Sequence, residues 1–208
     1  MQPKATGISP ISEYEIHSPS RLARKLYLYP LYSGYYKYGP GYFITRTSYD
    51  SFLLMYLTKG ACEIETDGQH FEAEAGQLVL LDCYRPHRYG SRDSWEASWL
   101  HFDGPTARAY DQEITARHGR ILTPSSGVLG LLDEIRSSLR PPCTAGEAVL
   151  SAQLIRLLDL LLAGEEAEGE ESQKNAVADS IAYINEHFRE PVSLELLAAK
   201  AGISPFHF

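Results

Sequence analysis

From Tyr27 to Trp99 the hydrophobic positions come in short runs or strict alternation, broken by turn residues about every 8–12 positions. Phe52-Leu-Leu-Met-Tyr-Leu-Thr58 is a continuous apolar run, as a strand buried on both faces requires, and Gly60 ends it. Cys62, Ile64 and Thr66 then alternate with Glu63 and Glu65 as far as Asp67-Gly68. That dipeptide tolerates the left-handed backbone of a type I′ hairpin. His70 to Ala75 read as its return strand, and Gly76 as the next turn. Leu78 to Leu81 form a second run buried on both faces, and Trp95, Ala97 and Trp99 alternate along one more strand. With no helical period in this stretch, the pattern predicts a sandwich or closed barrel rather than a βαβ fold. Residues 1–26, polar and containing Pro and Ser, predict a loose arm.

After Pro124 the period lengthens. Val128, Leu129, Leu132, Ile135 and Leu139 fit one amphipathic helix, stopped by Pro141-Pro142. Ala148 to Leu162 form a second, whose Leu150, Leu154, Leu157, Leu158, Leu161 and Leu162 make a wide apolar face. That face either packs on the barrel or forms a helical dimer seam. Gly164 to Asn175 read as a linker, and Asn175 is placed to cap the first helix beyond it. Val177, Ile181, Ile184 and Phe188 share a face of that helix, and Pro191 stops it. Ser193 is a good N-cap for the next, with Leu194, Leu197, Ala198 and Ala201 on one side. Gly202 suits a left-handed helix end, and Ser204-Pro205 starts a third helix. Helix, short Gly-containing turn and capped helix fit a DNA major groove, although a plain helical hairpin has the same spacing.

Composition narrows the function classes. Hydrophobic content of 44% and charged content of 22% are those of a soluble globular chain. No apolar run approaches the ~20 residues that span a bilayer, and Met1-Gln-Pro-Lys lacks a signal-peptide core. The three cysteines, Cys62, Cys83 and Cys143, are scattered and odd in number, which predicts reduced thiols in a cytoplasmic protein. A net charge of −8 argues against nucleic acid, but it is unevenly placed. Residues 1–125 carry 13 basic against 14 acidic side chains, residues 126–208 only 6 against 13. The excess peaks at Glu165, Glu166, Glu168, Glu170 and Glu171, a solvated run.

His70, His87 and His101 stand on separate strands without a His-x-His pair, so neither a metal nor another cofactor is expected. No nucleophile–base pair or phosphate loop is evident, and an enzyme is not expected. A small-molecule pocket fits better. Tyr27, Tyr29, Tyr32, Tyr35, Tyr36, Tyr38 and Tyr42 are dense, and Trp95 and Trp99 share a strand face. Such rings stack on the C–H face of a sugar, or simply fill core and rim. Arg46 stands out because a cation facing into a barrel needs a partner. His87 serves equally well as a ligand contact or as a structural histidine.

Ile181-Ala-Tyr-Ile184-Asn-Glu-His, Pro191-Val-Ser193-Leu-Glu-Leu-Leu-Ala198 and Ala201-Gly202-Ile-Ser204-Pro-Phe206 closely resemble the first helix-turn-helix of the AraC/XylS-type transcription regulators. Tyr56-Leu-Thr-Lys-Gly60, Gly76-Gln-Leu-Val-Leu-Leu81, Pro86-His87-x-Tyr89 and Trp99-Leu-His-Phe102-x-Gly104 resemble the effector-binding cupin half of the same family. The resemblance implies a mainly β fold with helices. Residues 1–125 would be a cupin-like β-barrel (jelly roll) with an N-terminal arm, and 126–163 a two-helix dimerisation segment with Leu150, Leu154, Leu157, Leu158 and Leu161 at the seam. Residues 164–176 would be an acidic linker, and 177–208 a first all-α helix-turn-helix.

It further implies a sugar-like effector bound by Arg46, Tyr89 and Trp99, to which Trp95, His87 and Tyr32 are added as candidates. A homodimer, operator DNA and RNA polymerase are the implied partners. Ala97 stands where some relatives carry His, so the same sugar need not fit. Only Ser204, Pro205, Phe206 and His207 of the recognition helix precede Phe208. The expectation is a fragment that binds effector and dimerises without a complete DNA-binding domain. The rivals are a cupin-type metal enzyme (isomerase or oxygenase) with a helical tail, and a module that acts only by dimerising.

Overall fold

The apolar runs mark strands that must satisfy two cores at once. The computed structural model describes residues 6–141, 145–164, 183, 184, 187 and 193–201. Its strands are β1 (Glu13–Ile16), β2 (Tyr29–Tyr38), β3 (Tyr42–Arg46), β4 (Phe52–Lys59), β5 (Ala61–Thr66), β6 (Gln69–Glu74), β7 (Leu78–Asp82), β8 (His87–Ser91), β9 (Trp95–Asp103) and β10 (Ile121–Leu122). Its helices are α1 (Arg21–Leu26), α2 (Ala107–His118), α3 (Ser126–Ser138), α4 (Glu147–Ala163) and α5 (Leu194–Ala201). The strands form a six-stranded sheet, β1-β2-β9-β4-β7-β10, and a four-stranded sheet, β3-β8-β5-β6, both antiparallel. The result is the expected mainly β, cupin-like double sheet with helices. The chain divides into two units, Met1–Leu162 and Ala163–Phe208.

Register explains the double burial. Leu54 lies opposite both Leu80 and Leu100, and this row faces the helices. One residue on, Met55 lies opposite Val79 and Trp99, and that row faces the four-stranded sheet. Period-two alternation thus sends every second residue of β4, β7 and β9 into each core. The inner core takes Cys62, Ile64, Ala73 and Tyr89 from the other sheet. Asp67 and Gly68 have φ of 53° and 73°, the type I′ hairpin that the dipeptide predicts.

The helical layer departs from the dimer-seam alternative. Leu150, Leu154, Leu157, Leu158 and Leu161 are all buried in the outer core, against Phe52, Leu54, Phe102 and α3's Val128, Leu131 and Ile135. Their breadth serves two neighbours within the chain, the sheet and α3, so they leave no leucine seam for a second copy. The large apolar side chains that α4 does expose are Val149 and Ile155.

The arm also differs from expectation. Instead of a loose segment, β1 pairs with β2, Ile8 bridges to Tyr38, and α1 is capped by Ser20, whose hydroxyl accepts from Ala23 N at 3.1 Å. Helix α2 carries no clear apolar stripe, only Ala107, Asp111 and Ile114 being buried, and the sequence pattern gives no sign of it.

In the second unit α5 is capped as predicted, Ser193 Oγ accepting from Leu196 N at 3.2 Å. Leu197 and Ala198 are buried while Leu194 is exposed. Ser204, Pro205, Phe206 and His207, with nearly all of the acidic linker, lie outside the described residues. No helix among the described residues is long and apolar enough to cross a membrane. Leu158→Ala is expected to cost about 2–5 kcal/mol, because the site is closed on all sides and cannot collapse. Urea unfolding of the variant checks this, and a loss below about 1 kcal/mol would show that α4 is loosely held.

Candidate functional site

The inward rows do not fill the space between the sheets. A cavity of about 470 Å³ remains at the end where β1, β2 and β3 come together. Strand β2 supplies Tyr32, Tyr36 and Tyr38, and β3 supplies Tyr42, Ile44 and Arg46. Leu53 and Met55 come from β4, Tyr89 from β8, and Trp99 and His101 from β9. The arm closes one side with Ile8, Tyr14 and Ile16, and Tyr49 completes the wall.

Trp99 owes its position to a glycine. Gly34 is its register partner on β2, and a Cβ there would lie 2.6 Å from Trp99 Cζ2 and 2.6 Å from the Glu13 carbonyl oxygen. Only hydrogen at this position lets the indole lie over β2 while β1 packs from the other side. The indole edge then meets Tyr36 at 5.0 Å between ring centroids and His101 at 5.7 Å.

The electrostatics are one-sided. Burial pushes the Tyr36 and Tyr49 hydroxyls up to about 12 and Tyr89 higher still, so these groups are neutral hydrogen-bonding hydroxyls. His101 is held down at about 3, by burial first and then by the charge of Arg46 and the neighbouring His87, and stays neutral. Its Nδ1 lies 2.8 Å from Ser51 Oγ. The Arg46 guanidinium stacks 4.3 Å from the centroid of Tyr49. Among the described residues it is the only formal charge on the cavity wall.

Of the sequence candidates, Arg46, Tyr89, Trp99 and Tyr32 line this one cavity. Trp95 does not. It is fully buried four residues back along β9, stacked on Tyr38 at 3.9 Å, and Gly60 lies close against its backbone. His87 is also off the cavity wall, buried with Nδ1 2.8 Å from the Arg85 carbonyl. That oxygen can only accept, so Nδ1 carries the proton and Nε2 is left as a buried acceptor without a partner among the described residues. Burial, chiefly, lowers its pKa. His70 sits exposed on β6, 4.0 Å from Glu65. No group of three or more metal-binding side chains gathers among the described residues. Tyr14, Ile16 and Tyr49 were not among the candidates. The alternation in Glu13-Tyr-Glu-Ile16 is the signal that points to the first two.

A family model described as the AraC-like ligand binding domain matches residues 30–180. The chain is similar to the MmsAB operon regulatory protein of Pseudomonas aeruginosa, 27% identical over 195 residues, which are 87% of this chain and 61% of that protein. It therefore spans about three-fifths of the length of that relative. Among solved structures, YhaK from Escherichia coli aligns with 45% of each chain at 20% identity and a TM-score of 0.40. The Cupin_2 domain of an XRE family transcriptional regulator from Enterobacter cloacae aligns over 45% of this chain and 97% of its own, at 16% identity and a TM-score of 0.34.

Two tests probe the wall. Gly34→Ala is expected to lose about 1–3 kcal/mol by overpacking and to shift tryptophan emission, as thermal melts and fluorescence would read. His101, at about 3 when folded against an ordinary value of 6.5, binds more protons unfolded. Its contribution is therefore complete above pH 6.5 and is lost as pH falls from there towards 3, by at most about 1.4 kcal/mol per unit. His101→Asn should flatten stability against pH in that window, and an unchanged slope would assign it to other groups.

Proposed function

The chain belongs to the AraC-like ligand-binding domain family, and on that premise we propose that it is the effector-sensing part of a cytoplasmic transcription regulator, responding to a small hydroxylated, sugar-like molecule in the barrel cavity. Aromatic rings and neutral hydroxyls on its wall suit such a ligand. One observation carries the coupling. On β1, Tyr14 and Ile16 face the cavity, while Glu13, the residue before them, pairs with Arg140 just beyond α3. Beyond β1, Ser20 donates to Glu147 at the start of α4, through its N–H at 2.6 Å and its hydroxyl at 2.7 Å.

The arm thus touches the ligand space with one face and the helical layer with its ends. These exposed links contribute little static stability, about 0–1 kcal/mol each. Their weakness suits a switch, since a ligand shifts an equilibrium only by its differential affinity for two states. Operator DNA, RNA polymerase and a second copy are proposed partners of the whole regulator. Within the helical layer, a homodimer would use outward residues such as Val149 and Ile155 rather than the buried leucines.

The test uses the full-length regulator, operator DNA and a reporter. Trp99→Ala should raise the effector concentration for half-maximal response roughly 10-fold or more, through lost stacking area, with ligand-free operator affinity unchanged. Glu147→Ala should leave effector binding intact and alter the response to it. Loss of operator affinity in both variants without any ligand would contradict the reading.

A further inference from the structure

The cavity carries an unmatched positive charge. Arg85, Arg88, Arg108 and Arg120 each hold an ion pair, with Asp67, Glu65, Asp82 and Asp111 respectively. Arg46 has the face of Tyr49 and, among the described residues, no carboxylate or hydrogen-bond acceptor. Stacking occupies the flat face of a guanidinium and leaves its in-plane N–H groups, the ones that grip an oxyanion, free. The indole of Trp99 lines the same cavity, and its buried N–H is without a partner among the described residues. The other polar wall groups are neutral hydroxyls and the neutral His101. A half-buried cation with no carboxylate beside it gains from an anion that joins it.

Resting on the effector reading above, we propose that the effector is a monoanion, whose carboxylate is held by Arg46 while its hydroxylated or apolar body lies against Trp99 and the tyrosines. A phosphate dianion would leave one charge unmatched, since the wall offers a single cation among the described residues. The planar fork of arginine also fits a carboxylate edge to edge. The sugar-like class narrows accordingly to sugar acids and hydroxy acids. The geometry assigns Arg46 the recognition of charge, and Trp99 and the tyrosines the recognition of shape.

Matched pairs test this on the 208-residue chain: galactose against galacturonate, glucose against glucuronate, benzyl alcohol against benzoate. Thermal shift and tryptophan fluorescence read the binding. In each pair that binds, the carboxylate should win by roughly 10- to 100-fold, the worth of charge-assisted hydrogen bonds. Arg46→Gln should erase that preference, and Arg46→Lys should keep part of it. Without ligand, Arg46→Gln should melt at or above the parent temperature, whereas an arginine with a structural role would lower it on removal. Equal binding of the neutral partners, or a preference that survives in Arg46→Gln, overturns the anion proposal while leaving a ligand-responsive regulator standing. Silence of every carboxylate at tens of millimolar overturns it too, and the operator assay then judges the regulator reading separately.

Discussion

Strands β4, β7 and β9 are covered on both sides, and the rest of the first unit is arranged around that fact. One face of each strand looks at the opposing sheet, the other at α2, α3 and α4. A strand so placed can neither slip by one residue nor twist away without moving apolar side chains from one core into the other. A slip would keep these side chains buried but in a core of the wrong shape, and misfits of that kind cost about 1–3 kcal/mol at each site. The central strands are thus a rigid partition, and the adaptable parts of the molecule lie at its margins.

Those margins are where charge and conformation are handled. Asp67, at the hairpin of the four-stranded sheet, accepts from Arg85 and Arg120, while Arg120 also reaches Asp111 on α2. Asp82, buried at the end of β7, is matched by Arg108 on α2. These pairs tie the two sheets and the helix layer together with every charge accounted for. The cavity is built on the opposite plan: a ring of neutral hydroxyls around Arg46, and an arm held by contacts that are individually weak.

How far this was legible in the sequence depends on how many physical demands each segment answers. The run from Phe52 to Thr58 must be apolar at every position to serve two cores, and so announces itself. Asp67-Gly68 is explicit because few other dipeptides accept two left-handed residues. The leucine stripe of α4 was equally visible but ambiguous, because burial against α3 and burial against a second copy demand the same residues. The arm was illegible for the contrary reason. A four-residue edge strand and a six-residue helix need little apolar character when one face lies over a cavity. Arg46, Tyr89 and Trp99 were placed on a common wall by the family resemblance and Tyr32 by the dense tyrosines around it, and all four do line the one cavity. Trp95 has the same parity as Trp99, but its distance along the barrel axis, which no periodicity encodes, puts it in core rather than cavity.

The partition has a consequence for how such a barrel can be redesigned. Changing a cavity residue on β4 or β9 stresses a strand whose reverse side is locked into the helices, so shape changes there propagate through the whole unit. By contrast β1 and β3 have one face towards solvent, and their backbones can give without disturbing a second core. Retuning the site for a new molecule is therefore a lopsided problem. The directed-evolution library belongs on Tyr14, Ile16, Tyr42, Ile44 and Arg46, with the six-stranded side kept fixed as chassis.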